Sequence, residues 1–324
     1  MKKHFILAIE TGGTKIQLVL GSDKGEIFYR YRTCVEREKG FEGILDRVTE
    51  ALPSLMKKAA ELGGTICRIG IGFGGPVQTS TGTAIWSAQI DGWGNFPVAQ
   101  YFEEKTGIPT RLYNDSNAAA WGEYCLGVGR GTNIFFYTNI GSGVGGGIVI
   151  DGKLFDGQGF GVAEFGQSYL YDPCYQGNSI YPVNHIERIC SGWGIEARLR
   201  REAIPEDSIL LELCGHRQQE LDCRMWGQGI HKGDAFSLKI LEETAEYFAI
   251  ALCNVLCFYS PEVIAVGGGV SLIGEPLLER IRRYTEQYVY QNCKGRYRIV
   301  KSELDEDVVL AGTLLLTGAD ERTR

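Results

Sequence analysis

No apolar run in this chain is long enough to span a membrane, and the opening "MKKHFILAIE" moves straight into a strand pattern without a cleavage-site signature. Both absences make a cytoplasmic chain the expectation. Positive charge is also scarce. The 33 Lys and Arg stand against 40 Asp and Glu, a net charge of −7, whereas a nucleic-acid partner asks for a basic face. Ten cysteines are present, but no C-x-x-C pairing organises them, and in a chain without an export signal reduced thiols are the expected state. Cys214, His216 and Cys223 in "CGHRQQELDC" could hold a metal, although their spacing matches no standard zinc pattern. Cys253 and Cys257, one helical turn apart, read as core residues. No low-complexity linker interrupts the 324 residues, a length suited to two domains, so a boundary near Tyr113 is expected to be a hinge.

Glycine is what the chain has in plenty, and it sits in turns between apolar runs. In "AIETGGTKIQLVLGSDKGEIF" Gly12 and Gly13 separate two strand-like segments, with Glu10 before them and Thr14 and Lys15 after. Two readings stand: an ordinary glycine hairpin, or a loop whose N–H groups approach a phosphate while Glu10 holds a metal ion. The segment "NIFFYTNIGSGVGGGIVIDGKLF" repeats the same grammar at Gly141, Ser142 and Gly143. A duplicated fold with a glycine loop in each half could clasp a polyphosphate from two sides. A third turn, Gly267-Gly268-Gly269, ends the apolar run "VIAVGGG", and in open α/β sheets such turns lie where ligands bind.

Between these turns the pattern is α/β. Residues Phe41 to Leu62 have helical spacing broken near Pro53, and "VAQYFEEKTG" and "NAAAWGEYCLG" read as helices, the latter ended by Gly127. Long amphipathic helices are expected over Asp234 to Tyr259 and in "EPLLERIRRYTEQYV", with a final apolar helix in "DVVLAGTLLLTG". Tyr171 to Asn184 and Arg200 to Lys232 are the least legible stretches.

Taken in order, these segments resemble the ROK group of sugar kinases and repressors within the actin-like ATPase superfamily. "ETGGTK" is similar to a first phosphate loop usually written D-x-G-G-T-K, and "IGFGGPV" to the sugar-bordering turn, with Gly74 where proline is common. "YNDSNAAAWGE" resembles E-N-D-A-N-A-A-A-x-G-E, the most specific match, and "AEFGQ" the sugar-facing E-x-G-H. The resemblance implies a two-domain actin-like ATPase (ribonuclease H-like) fold with an interdomain active-site cleft. Its domains would be a small N-terminal domain over 1–113, a large domain over 114–304, and a helix over 305–324 returning to the first. It further implies an ATP-dependent, Mg²⁺-requiring hexose kinase, glucokinase-like, acting on a small-molecule sugar as a homodimer. Kinases for fructose, mannose or an amino sugar, and a non-catalytic sugar-sensing protein, are the alternatives. Repressors of the group carry a helix-turn-helix segment ahead of the first loop, and only nine residues precede Glu10 here, so the regulator is the weaker expectation.

Phosphoryl transfer needs a phosphate cradle, a divalent cation and a carboxylate to take the hydroxyl proton. Gly12, Gly13, Thr14, Lys15, Gly141, Ser142, Gly143, Gly267, Gly268 and Gly269 are the candidate cradle, and Glu10 the indirect magnesium ligand. By resemblance and by its place after a strand, Asp115 is the general base; alone, "ND" before a helix would also read as an N-cap. Gly75, Asn114, Asp115, Glu164, Gln167 and Glu187 are the sugar contacts the resemblance implies. The family's cysteine cluster is missing and Gln167 replaces the histidine that completes its zinc site, so no zinc is expected; Cys174, His185 and Cys190 could form only an irregular site.

Overall fold

The computed structural model describes residues 3–13, 15–172 and 182–319. By contact the chain divides into one unit of Met1–Gly131, Gly147–Ala163 and Glu303–Arg324, and a second of Thr132–Gly146 and Glu164–Ser302. The sequence puts the boundary near Tyr113; by contact it falls after Gly131.

The chain opens with three antiparallel strands, β1 (Lys3–Thr11), β2 (Lys15–Gly21) and β3 (Ile27–Cys34), followed by α1 (Gly40–Glu61) and β4 (Gly64–Phe73). A small hairpin of β5 (Val77–Gln78) and β6 (Thr83–Ala84) then leads to α2 (Val98–Thr106), β7 (Thr110–Asn114) and α3 (Asp115–Leu126). The first sheet has the order β3-β2-β1-β4-β7, with β4 parallel to both neighbours. Strand β1 is buried on both sides because "FILAI" is apolar at every position. Phe5, Leu7 and Ile9 join the cluster containing Ile44, Val48 and Leu55 of α1. Ile6 and Ala8 face the other way, onto Leu310 and Leu314 of the closing helix. Contrary to the sequence expectation, α1 runs unbroken through Pro53. The carbonyl of Thr49, freed by that proline, lies in a turn whose hydroxyls also back-bond, Thr49 to the Leu45 carbonyl at 2.7 Å and Ser54 to that of Ala51 at 2.8 Å.

The second half begins with β8 (Ile134–Ile140), β9 (Val144–Ile150) and β10 (Lys153–Leu154), the Asp151-Gly152 turn taking φ of 49° and 74°. Next come the short pair β11 (Tyr169–Tyr171) and β12 (Val183–His185), then α4 (Ile186–Cys190), α5 (Gly192–Arg201), α6 (Ile209–Leu213), α7 (Cys223–His231) and α8 (Ala235–Tyr259). Finally β13 (Val263–Gly267), α9 (Glu275–Tyr288), β14 (Arg298–Lys301) and α10 (Val308–Gly318) close the chain. The second sheet is ordered β10-β9-β8-β13-β14. Each sheet therefore runs third, second, first, fourth, fifth strand, and the repeat legible in sequence is a repeat of topology. Helices α6 and α7 occupy the stretch that carries no clear pattern; Trp226 of α7 is fully buried, its indole donating to the Ser237 carbonyl at 3.0 Å.

Candidate functional site

In the first unit the candidate residues converge at the ends of β1, β4 and β7. Glu10 is the penultimate residue of β1, opposite Gln17 of β2, and the Gln17 amide donates to its carboxylate at 3.0 Å. Burial pushes the Glu10 pKa up to about 7, and the neighbouring Asp115 charge adds to the rise, while Lys15, Gln17 and Arg30 oppose it. Lys15 is exposed, its ammonium 3.7 Å from Glu306. The Gly12 amide closes the turn on the Lys15 carbonyl at 3.1 Å, and the Gly13 carbonyl accepts from Arg37 at 2.9 Å. A Cβ on Gly13 would lie 2.3 Å from Oε1 of Gln89, so that side chain lies directly over the turn. Thr14 lies outside the described residues.

The "ND" pair divides its labour. Asn114 is the N-cap of α3, its Oδ1 accepting from the Asn117 amide at 2.9 Å, and its Nδ2 donates to the Gly75 carbonyl at 3.0 Å. Asp115 is the first residue of the helix, one position after that cap. Its Oδ1 accepts from the Ser116 amide at 2.7 Å and the Ser116 hydroxyl at 3.2 Å. Its Oδ2 lies 3.5 Å from where a Cβ of Gly74 would stand. A Cβ there would be in ordinary van der Waals contact with that carboxylate.

The second unit assembles its own set, backbone against backbone. The Gly141 amide donates to the Gly143 carbonyl at 2.9 Å, and no described residue accepts from the amides of Ser142 and Gly143. The turn is seated on α5, since the Gly192 amide donates to the Gly141 carbonyl at 2.8 Å. Gly268, with φ 85°, passes so close that a Cβ there would stand 2.6 Å from the Ile140 carbonyl. Its neighbours are Gly267, buried at the end of β13, and Gly269, exposed at the head of a short 3₁₀ turn. Two glycine turns thus share one floor.

Glu187 joins them: its Oε2 accepts from the Val144 amide at 2.9 Å, and its Oε1 accepts from Gln167 at 3.3 Å. Gln167 is exposed on a 3₁₀ turn (Phe165–Gln167) that Phe165 anchors between the rings of Phe136 and Phe248. Glu164 precedes that turn at its N-cap position, without a side-chain cap bond, and is exposed.

Among the described residues neither cysteine group considered from sequence comes together as a metal site. His185 directs Nδ1 to the Gln167 carbonyl at 2.7 Å, whereas the Cys190 thiol is buried against Thr244 of α8. Cys174 lies outside the described residues. The Cys214 thiol faces the Leu211 carbonyl, and Cys223 faces Gly192, with its pKa pushed up to about 12 by burial. Among the described residues no three His, Cys, Asp or Glu side chains are grouped to hold a metal.

Several residues escaped the sequence reading. Asn117 is buried and donates to Asp156 at 3.4 Å, while its Oδ1 has no partner among the described residues. Asn139, two residues before Gly141 as Glu10 is two before Gly12, accepts from the Gly145 amide at 2.7 Å. Aligning the two hairpins residue by residue would have singled out Asn139. Gln17 is the one polar residue within "IQLVL", a signal visible in the sequence.

Two sheets of one strand order, each led by a hairpin with a glycine turn, define a two-domain α/β fold of the actin-like ATPase type. Within that class the ROK family model matches residues 6–319, and the chain belongs to the ROK family. It is 28% identical over 322 residues to a glucokinase of Halalkalibacterium halodurans, covering 97% of this chain and 96% of that one. It is 25% identical over 321 residues to a xylose repressor of Caldicellulosiruptor bescii, covering 97% of this chain but 78% of the repressor. Among solved structures it superposes with a TM-score of 0.83 on a ROK glucokinase from Streptomyces griseus in complex with glucose and AMPPNP, 27% identical, covering 97% of this chain and 99% of that one.

Proposed function

We propose that this chain is an ATP-dependent sugar kinase that transfers the γ-phosphoryl group to a hexose hydroxyl, with glucose the first candidate. One observation carries the reading. Asp115 stands in the first turn of α3 beside the Gly74-Gly75 turn, one oxygen fixed by Ser116, while the capping work falls to Asn114. A carboxylate held this way suits a general base. It would accept the hydroxyl proton as the sugar oxygen bonds to the γ-phosphorus and the bond to the ADP leaving oxygen breaks.

The glucose and AMPPNP bound to the Streptomyces griseus relative support sugar and nucleotide as the ligand classes. In the second unit we assign the amides of Ser142 and Gly143 to phosphate oxygens, and Glu164, Gln167 and Glu187 to sugar hydroxyls, which carboxylates and amides pair with in fixed geometry. A magnesium ion, when bound, would offset phosphate charge. A single carboxylate ligand suits it even with Asp115 close by, since magnesium keeps most of its waters and takes phosphate oxygens rather than an all-protein cage. Glu10 would hold it, through water.

The test is a panel of hexoses with ATP and Mg²⁺, read by ADP release. Sugar-dependent release is expected, with one sugar clearly preferred. The xylose-repressor relative favours a second reading, a sugar binder without turnover; sugar binding with no ADP release would establish that one instead.

A further inference from the structure

Gln17 is fully buried in the middle of an otherwise apolar strand, and a buried amide must find partners for both of its ends. Its Oε1 accepts from Arg30 at 3.0 Å and from Arg32 at 2.9 Å. A guanidinium can only donate, so the amide has one possible orientation, with its N–H₂ toward Glu10. The two arginines are in turn held by Asp307 and Glu306, on the 3₁₀ turn that leads into α10. The result is a directed chain of hydrogen bonds on one face of the hairpin, ending on the Glu10 carboxylate. Glu10 is one methylene longer than the aspartate of the pattern D-x-G-G-T-K, and its cross-strand partner is the residue that catches it.

We infer that Gln17 is a positioning residue: it fixes the Glu10 carboxylate in the one orientation from which it can hold the nucleotide's divalent cation. The inference rests on the role proposed for Glu10. A partner that orients a metal-holding carboxylate is typically worth about 10–100-fold in metal affinity.

The test measures binding of the Mn²⁺–ADP complex by the whole protein, from the enhancement of water-proton relaxation over that of Mn²⁺–ADP free in solution. Gln17→Met should weaken Mn²⁺ binding by about 10–100-fold. Gln17→Asn, which keeps the amide but falls short of Glu10, should move it the same way. In a Glu10→Ala background Gln17→Met should add no further loss, because Gln17 acts only through that carboxylate. Unchanged binding in the folded Gln17 variants, losses that add to that of Glu10→Ala, or a wild type that holds no Mn²⁺ with ADP would each overturn the inference. So would failure of both Gln17 variants to fold, which would make the residue a stability element. A wild type that binds Mn²⁺ with ADP yet phosphorylates no sugar would break the kinase reading and leave Gln17 in its role.

Discussion

The two leading hairpins have the same topology and have been put to different uses. In the first, the turn at Gly12 and Gly13 is surrounded by side chains: Gln89 lies over it, Arg37 holds its carbonyl, and Glu10 and Gln17 pair across the strands. In the second, backbone does most of the holding at the turn of Gly141 to Gly143, with Gly268 and Gly192 pressed against it and the Glu187 carboxylate alone reaching it on the Gly143 side among the described side chains. Where the first carries the ionisable Glu10, the second carries the amide Asn139, spent on the Gly145 amide. A duplicated scaffold has thus kept its strand order while one turn is held chiefly by side chains and the other chiefly by backbone. Side chains can be repositioned at little cost, and close-packed backbone cannot.

The sharpest way to break this comparison is to neutralise the carboxylate that the first unit offers as base. Asp115→Asn keeps the size and part of the hydrogen bonding but cannot take a proton. Turnover should fall by roughly 10²–10⁴-fold while sugar affinity, measured by calorimetry, changes only modestly. Turnover close to wild type would remove Asp115 from the role of base.

Next in size is a matched pair of glycine substitutions. At Gly268 an alanine meets both a left-handed backbone and the Ile140 carbonyl at 2.6 Å, with nothing flexible to give way. Gly268→Ala should cost about 2 kcal/mol or more and lower the urea midpoint visibly. At Gly13 the obstacle is the far end of Gln89, at 2.3 Å, which can swing aside. Gly13→Ala should cost less than about 1 kcal/mol. Equal losses would mean that the two turns are built alike after all.

Much of this was legible beforehand, for identifiable reasons. Strands such as "FILAI" and helices such as Ala235–Tyr259 are periodic or uniformly apolar over long stretches, so burial dictates them. The glycine turns announced themselves because the chain bends there between apolar runs. Pro53 misled, since a proline read locally ends a helix, while the packing of Ile44, Val48 and Leu55 on the sheet keeps α1 continuous. Helices α6 and α7 were hidden because they are short and start on caps, Ser208 and Asp222, that read as ordinary loop residues. The Gln17 and Asn139 bonds were out of reach for another reason. Which polar side chain finds which partner depends on cross-strand register, and register is set by the whole sheet.

A smaller effect is expected at Gln167. Its N–H₂ reaches Glu187 at 3.3 Å, and Glu187 is fixed on its other side by Val144. An imidazole in its place would reach differently and offer one donor at most toward that carboxylate when neutral. Gln167→His should therefore reorder the sugar panel, by about tenfold between the sugars most affected. The same order in both proteins would make Gln167 a bystander.

The smallest effect expected is none at all, on chelation. The hairpin of β11 and β12 occupies the stretch next to the family's zinc segment, and here protein contacts hold it. Its strands pair from Tyr169 opposite His185 to Tyr171 opposite Val183. The Tyr169 and His185 rings lie 4.2 Å apart, and the His185 ring bonds the Gln167 carbonyl. Asn184 ties the other end to Asp172 at 3.1 Å. A structural zinc contributes folding energy directly, so a chain that depended on one would lose stability when it was removed. Here the Cys190 thiol is buried against the Thr244 carbonyl of α8, and among the described residues no three His, Cys, Asp or Glu side chains are grouped to hold a metal. We expect the purified protein to contain no stoichiometric zinc by elemental analysis, and its melting temperature to be the same with and without a zinc-selective chelator. One tightly bound zinc per chain, lost together with several degrees of melting temperature, would show that a metal rather than this hairpin's own bonds secures the region around Gln167.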